Sequence, residues 1–217
     1  MTADEGLHAD LARVLAGLGA ATLGECGARS MPPRIRPVWL GATVAAPAYP
    51  VRCTPGDNLA VHVAVTRAPV GSVLVVDVGD VSDRGYWGEV LTTGALTRGL
   101  GGLVIDGGVR DVAALEAHGF PVFARTVALR GATKVARGSV GKPAEVAGVT
   151  VEPGDWVVGD VDGVVVVPGD RLDDVVEAGR ARASAEDGYF DALRAGATTV
   201  ELLGLDASLI EDGGTGA

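Results

Sequence analysis

Arg110 and Asp111 stand side by side directly after the apolar run Leu103-Val104-Ile105 and the glycines Gly107 and Gly108. Charged residues of this kind seldom enter a core unless they are paired or bound to something. The planar Arg110 fork suits a carboxylate, and the Asp111 carboxylate is an oxygen ligand for a hard divalent cation. Upstream, Gly88 of "WGEVL" begins a predicted helix, whose free N–H groups and dipole attract an anion. Together these residues could hold a small 2-oxo acid, its carboxylate on the helix N-terminus and its keto oxygen beside a cation and Arg110. The same pattern also describes a turn salt bridge next to a helix cap. From the residues alone both readings stay open.

The remaining reactive residues narrow the chemistry. Cys26 and Cys53 lie far apart, with neither a CxxC spacing nor a nearby histidine, and read as buried thiols. His8, His62 and His118 show no HxH or HExxH spacing, so a zinc site is not expected. His62 reads as a packed histidine and His118 as a solvated one at a helix end. The "GDVDG" stretch lacks calcium-loop spacing and reads as a β-turn.

These groups need elements to position them. The 217 residues suit one domain, and 47% hydrophobic residues argue for a packed globule. We expect a single domain over residues 1–210 with a frayed tail at 211–217. Leu7, Leu11, Val14, Leu15 and Leu18 predict an amphipathic helix ending near Gly19, with a short helix and a Pro-rich loop after it. "GATVAAPAYPVRC" predicts a strand pair or an irregular strand, because Pro47 and Pro50 exclude a central ladder position. Asp57 or Asn58 can cap the helix that follows. "SVLVVDVGD" and "GGLVID" predict buried strands, each followed by a helix, and "FPVFAR" predicts a further strand. This alternation implies a parallel or mixed sheet covered by helices, an α/β fold. Beyond Thr126, PGD, GD and DG turns predict a β-meander, and the last part is helical.

Net charge of −10 without a Lys/Arg cluster argues against nucleic acid as a partner. No window approaches about 18 uninterrupted apolar residues, so no membrane span is expected. The opening "MTADEGLHAD" lacks the layout of a signal peptide, which gives a cytoplasmic expectation.

The motifs "PGDNLAVH", "WGEVL", "RGLGGLVIDGGVRD", "PVFAR" and "VEPGDWVVGDVDGVVVVP" occur in this order. On them the sequence, from about Leu7 to Leu203, resembles the metal-dependent 4-hydroxy-4-methyl-2-oxoglutarate / 4-carboxy-4-hydroxy-2-oxoadipate aldolases. These share a superfamily with the regulator of ribonuclease activity A. The resemblance implies an α-β-β-α sandwich like a phosphohistidine swivelling domain. It implies pyruvate binding through the backbone amides of Gly88, Glu89, Val90 and Leu91, with Arg110 as the substrate-binding arginine. Asp111 is implied as the ligand of Mg²⁺ or Mn²⁺, Glu89 as a group acting on the metal through water, and Asn58 as a site-facing amide. Glu186 is implied as a glutamate supplied by a neighbouring subunit of a homotrimer or hexamer. Pro50 stands where Thr is expected, and Gly24–Glu25 where Ser–Asp is usual, so the entrance can differ.

Aldol cleavage needs an electron sink, either a Schiff-base lysine or a metal holding the enolate oxygen. The only lysines, Lys134 and Lys142, lie in a polar Gly-rich segment and read as solvated. The metal route is therefore expected: a cation on Asp111, with Arg110, polarises the 2-keto oxygen, and Glu89 orients the water that accepts the 4-hydroxyl proton. The products are pyruvate and a second carbonyl compound, and oxaloacetate would lose CO₂ through the same enolate. Arg130 and Arg137 are candidates for a distal carboxylate, with a surface position as the default. Two alternatives remain: a non-catalytic, protein-binding regulator, and a relative recruited to another enolate-type lyase step in secondary metabolism.

Overall fold

The computed structural model describes residues 3–211. Helix α1 (Ala3–Glu25) opens the chain, followed by the short strands β1 (Arg29–Ser30) and β2 (Arg36–Pro37). The first large unit then runs β3 (Val44–Arg52), α2 (Leu59–Arg67), β4 (Val73–Asp77), β5 (Arg84–Trp87) and α3 (Glu89–Thr97). It continues with β6 (Gly102–Val109), α4 (Val112–Ala117), β7 (Val122–Val127), β8 (Arg130–Gly131) and β9 (Ser139–Val140). The hairpin β10 (Ala144–Val146) and β11 (Val149–Val151) precedes β12 (Trp156–Asp160) and β13 (Gly163–Val167). Helices α5 (Leu172–Arg194) and α6 (Thr199–Leu203) complete the order. The chain divides into two compact units, one up to Gly179 and a smaller helical one from Arg180 onward. Residues 212–217 of the expected tail lie outside the described residues.

The first unit is a mixed α/β structure built on one curled sheet. Strands β3, β4, β6 and β7 pair in parallel, whereas β12 is antiparallel to both β3 and β13. Strand β4 shows why its sequence is an unbroken apolar run. Leu74 and Val76 face a core under α2, α3 and α4, while Val73 and Val75 face a second core. That second core lies between the parallel strands and the curled antiparallel part, where Val157, Val164 and Val166 meet Val75, Val104 and Phe123. A third core packs Leu15 and Leu23 of α1 on Val158 and Val165. The layer order is thus helix, sheet, sheet, helix, the expected α-β-β-α sandwich. Among the described residues no helix is long and apolar enough to cross a membrane.

Two local expectations need correction. Residues Val44–Arg52 form one continuous strand despite Pro47 and Pro50. Its partners change along its length: β12 pairs with residues 44–47 and β4 with residues 48–52. A proline is tolerated where one side of the strand is not required to donate. Strand β6 also does not stop at Asp106 but runs through both glycines to Val109. A Cβ on Gly108 would lie 2.4 Å from the Arg84 carbonyl oxygen, so only glycine lets β5 approach so closely. The helix end expected near Gly19 is a break within α1, where Gly19 has a φ of 77° and a second helical stretch follows to Glu25.

Candidate active site

The Arg110–Asp111 pair closes β6 and faces the start of α3. Trp87, the last residue of β5, fixes this corner: it is fully buried, stacks on Phe120 and donates from Nε1 to Thr92 Oγ1 at 2.7 Å. The Arg110 amide donates to the Trp87 carbonyl at 2.9 Å, which draws the two strand ends together. The stem of Arg110 then crosses two glycines. A Cβ on Gly85 would lie 3.1 Å from Arg110 Cδ, and one on Gly88 would lie 3.1 Å from Cγ.

Gly88 has a stricter reason to be glycine, since its Cβ would come within 2.4 Å of Asp111 Oδ2. Asp111 adopts left-handed backbone angles, φ 58° and ψ 35°, and makes no capping bond to its own helix α4. It accepts the Glu89 amide of α3 on Oδ2 at 3.0 Å instead. A left-handed conformation in a non-glycine residue costs on the order of 1 kcal/mol, and such strain gathers at functional sites. Arg110 Nε stands 3.7 Å from Asp111 Oδ2, an ion-pair contact beyond hydrogen-bond reach. No donor among the described residues bonds to Asp111 Oδ1. With Glu89 committed to Asp111, the Val90 and Leu91 amides are the orphan donors of the first turn of α3.

The opposite wall is organised by another carboxylate. Asp57 is buried and accepts Leu59 N on one oxygen at 2.9 Å. Its other oxygen accepts Thr133 Oγ1 at 2.7 Å, Val135 N at 2.7 Å and Ala136 N at 3.1 Å. Burial opposes ionisation, but the donors of Val135, Leu59, Thr133 and Ala136 together outweigh it and hold the pKa at about 2. This one side chain therefore caps α2 and pins the 133–136 loop. Asn58, next to it, is also buried and donates from Nδ2 to the Tyr86 carbonyl at 2.8 Å. Its Oδ1 is buried without a partner among the described residues.

Between the two walls lies a cavity of about 210 Å³. Gly88, Val90, Leu91, Arg110 and Asp111 line one side, and Asn58, His62 and Lys134 the other. Burial lowers the His62 pKa, Lys134 pushes it the same way and Asp57 opposes them, so the ring is neutral at pH 7.

Residues 9–166 match the family model described as RraA-like, Aldolase/RraA. The chain belongs to the RraA-like family. A relative from Halalkalibacterium halodurans, which carries the provisional name 4-hydroxy-4-methyl-2-oxoglutarate aldolase, is 33% identical over 161 residues. That match spans 74% of this chain and 77% of the relative. A Pseudomonas syringae pv. tomato structure superposes with a TM-score of 0.80 at 29% identity, covering 89% of this chain and 92% of the other. The RNA-processing inhibitor RraA from Thermus thermophilis gives a TM-score of 0.60 at 28% identity, over 65% and 85% of the two chains.

In this RraA-like chain the site residues inferred from sequence separate into groups. Gly88, Val90, Leu91, Arg110, Asp111 and Asn58 line one cavity. Glu89 is not among its lining residues; its carboxylate Oε1 stands 3.4 Å from His118 Nε2. Glu186 belongs to the second unit, where it pairs with Arg182 one helical turn away at 2.9 Å. His118 is exposed at the end of α4, as expected, and also meets Glu89; Lys134 is exposed, as expected, and lines the cavity together with the half-buried His62. The signal that could have found Lys134 is Asp57, whose three bonds from Thr133, Val135 and Ala136 fix the loop. No local spacing connects residues 76–79 positions apart. Strand β5 also separates "DVGD" from Gly88, so the first strand end does not feed the helix directly as expected.

Proposed function

We propose that this protein is a divalent-metal-dependent lyase that cleaves a 4-hydroxy-2-oxo acid to pyruvate and a second carbonyl compound, and that also decarboxylates oxaloacetate. The supporting observation is the corner at Asp111: a strained carboxylate with one oxygen accepting the Glu89 amide and the other without a donor, on the wall of a cavity. Among the described residues no cluster of three or more His, Cys, Asp or Glu side chains could hold a metal. One carboxylate suffices for Mg²⁺ or Mn²⁺, since such a cation keeps several waters and takes further oxygens from its ligand. The unpartnered Asn58 Oδ1 adds a second oxygen on the facing wall. When bound there, the cation supplies Lewis-acid stabilisation of negative charge on a keto oxygen.

The chain's own groups bind and orient the substrate. The amides of Val90 and Leu91, at the positive end of the α3 dipole, receive the carboxylate of the 2-oxo acid. Arg110, its stem held flat over Gly85 and Gly88, presents its fork to the same end of the ligand. Glu89, flanked by the cavity residues Gly88 and Val90, orients the water that accepts the 4-hydroxyl proton, and His118 steadies its carboxylate. His62, neutral in its half-buried setting, is a second acceptor on the wall. The proposal includes a cytoplasmic homotrimer or hexamer in which Glu186 of the partner subunit completes each site.

Release of pyruvate from oxaloacetate with Mg²⁺, abolished by EDTA and restored by Mg²⁺ or Mn²⁺, is the expected result. Absence of turnover, together with binding to an RNA-processing enzyme, would favour a regulator like the Thermus inhibitor.

A further inference from the structure

Residues next in sequence to several that line the cavity line a second, larger depression. A groove of about 460 Å³ runs between α2 and the loop from Val135 to Lys142. The two are built from adjacent residues. Asn58 and His62 line the cavity, while the next residues, Leu59 and Val63, line the groove. In the loop, Lys134 lines the cavity and Val135 the groove. Asp57, bonded to both Leu59 and Val135, holds this shared partition in place. The groove also requires Gly138, because a Cβ there would come 2.6 Å from the Arg52 carbonyl and 2.7 Å from Ala60 Cβ.

The groove combines an apolar floor with cations. Leu59, Val63 and Val140 supply the floor, and Arg67, Arg137 and Lys142 supply the charge. None of these three cations has a carboxylate within 4.0 Å among the described residues. In a chain of net charge −10, three unneutralised cations around one groove make a local anion-attracting surface.

We propose that this groove is a distal substrate subsite, which takes the far end of a 2-oxo acid whose chain carries an apolar spacer and a terminal carboxylate. The proposal rests on the 2-oxo-acid reading of the cavity and adds the substrate class: an extended ω-carboxylated 4-hydroxy-2-oxo acid. The reacting end lies against Arg110 and Asp111, the spacer crosses Leu59 and Val135, and the terminal carboxylate meets Arg137, Lys142 and Arg67.

Isothermal titration with Mg²⁺ and uncleavable probes tests this. The probes are pyruvate, 2-oxoglutarate, 2-oxosuberate, 2-oxosebacate and, lacking the terminal charge, 2-oxooctanoate. The expected result is about tenfold tighter binding of one of the long diacids than of 2-oxoglutarate, as one added charge-assisted contact provides. 2-Oxooctanoate should bind more weakly than 2-oxosuberate. The Arg137→Ser/Lys142→Ser protein should lose most of the ratio between long-diacid and pyruvate affinity. Flat affinity across the diacids, or the same ratio in the variant, overturns the subsite. If pyruvate binds while that ratio stays flat, the subsite fails and the cavity reading stands; if pyruvate itself does not bind, both fail.

Discussion

Asp111 lines the cavity, Asp57 holds the residues beside the lining Asn58 and Lys134, and the two carboxylates differ in almost every physical respect. Asp57 is buried, and its two oxygens accept four hydrogen bonds. Asp111 is exposed, accepts one, and sits in a left-handed conformation that a glycine would relieve. A carboxylate whose acceptor capacity is consumed by the fold belongs to the architecture. One held under strain with an oxygen left free has capacity for a ligand. The contrast also assigns the groups around each. Donors converge on Asp57 to fasten a loop, whereas Gly88 keeps space clear for Asp111.

Substitutions should separate the two carboxylates, and the largest effect belongs to Asp111. Asp111→Ala should lower kcat for oxaloacetate decarboxylation by at least about a hundredfold, the scale of losing a main electrostatic group. Its stability should fall by only about 1 kcal/mol, because alanine keeps the Cβ that strains the left-handed backbone and the side chain gives up a single bond, from the Glu89 amide. Equal turnover in the two proteins would remove Asp111 from the chemistry. Asp57→Ala should cost more stability, about 2–3 kcal/mol, through the part-buried donors it leaves unpaired. Chemical denaturation measures that loss, and a variant as stable as the parent would contradict the structural role.

The pH dependence of stability sharpens the comparison. The folded Asp57 pKa of about 2 lies below the ordinary 3.8. Its stabilisation, about 2 kcal/mol, is therefore complete above pH 4 and lost as the pH falls toward 2. Comparing acid denaturation of the parent and Asp57→Asn should show this contribution in the parent alone. Gly88→Ala comes next: the added methyl must displace the Asp111 carboxylate, costing about 1–3 kcal/mol and much of the activity. The smallest effect is expected at His118. Its pair with Glu89 is partly exposed, so His118→Ala should change stability by less than about 1 kcal/mol.

The same contrast explains what could be read from the chain. The Asp111 corner was legible because its parts are local: an apolar run, two glycines and an adjacent charged pair. The alternation of strands and helices in the first unit was legible from apolar runs and turn residues. The Asp57 wall was not, since its donors at Thr133, Val135 and Ala136 are 76–79 residues away and have ordinary side chains. That the exposed Lys134 also lines the cavity was illegible for the same reason, since Asp57 fixes its loop across a long sequence separation. At Pro47 and Pro50 the ladder rule met a strand that changes partners midway, which only tertiary pairing reveals.

In the proposed reading the free oxygen of Asp111 holds a divalent cation together with a 2-oxo acid. Titrating Mn²⁺ into the full chain by electron paramagnetic resonance, with and without pyruvate, tests this most directly. One Mn²⁺ per chain is expected, bound more tightly when pyruvate is present and lost in Asp111→Ala. Equal Mn²⁺ affinity in the two proteins, with no response to pyruvate, would contradict it.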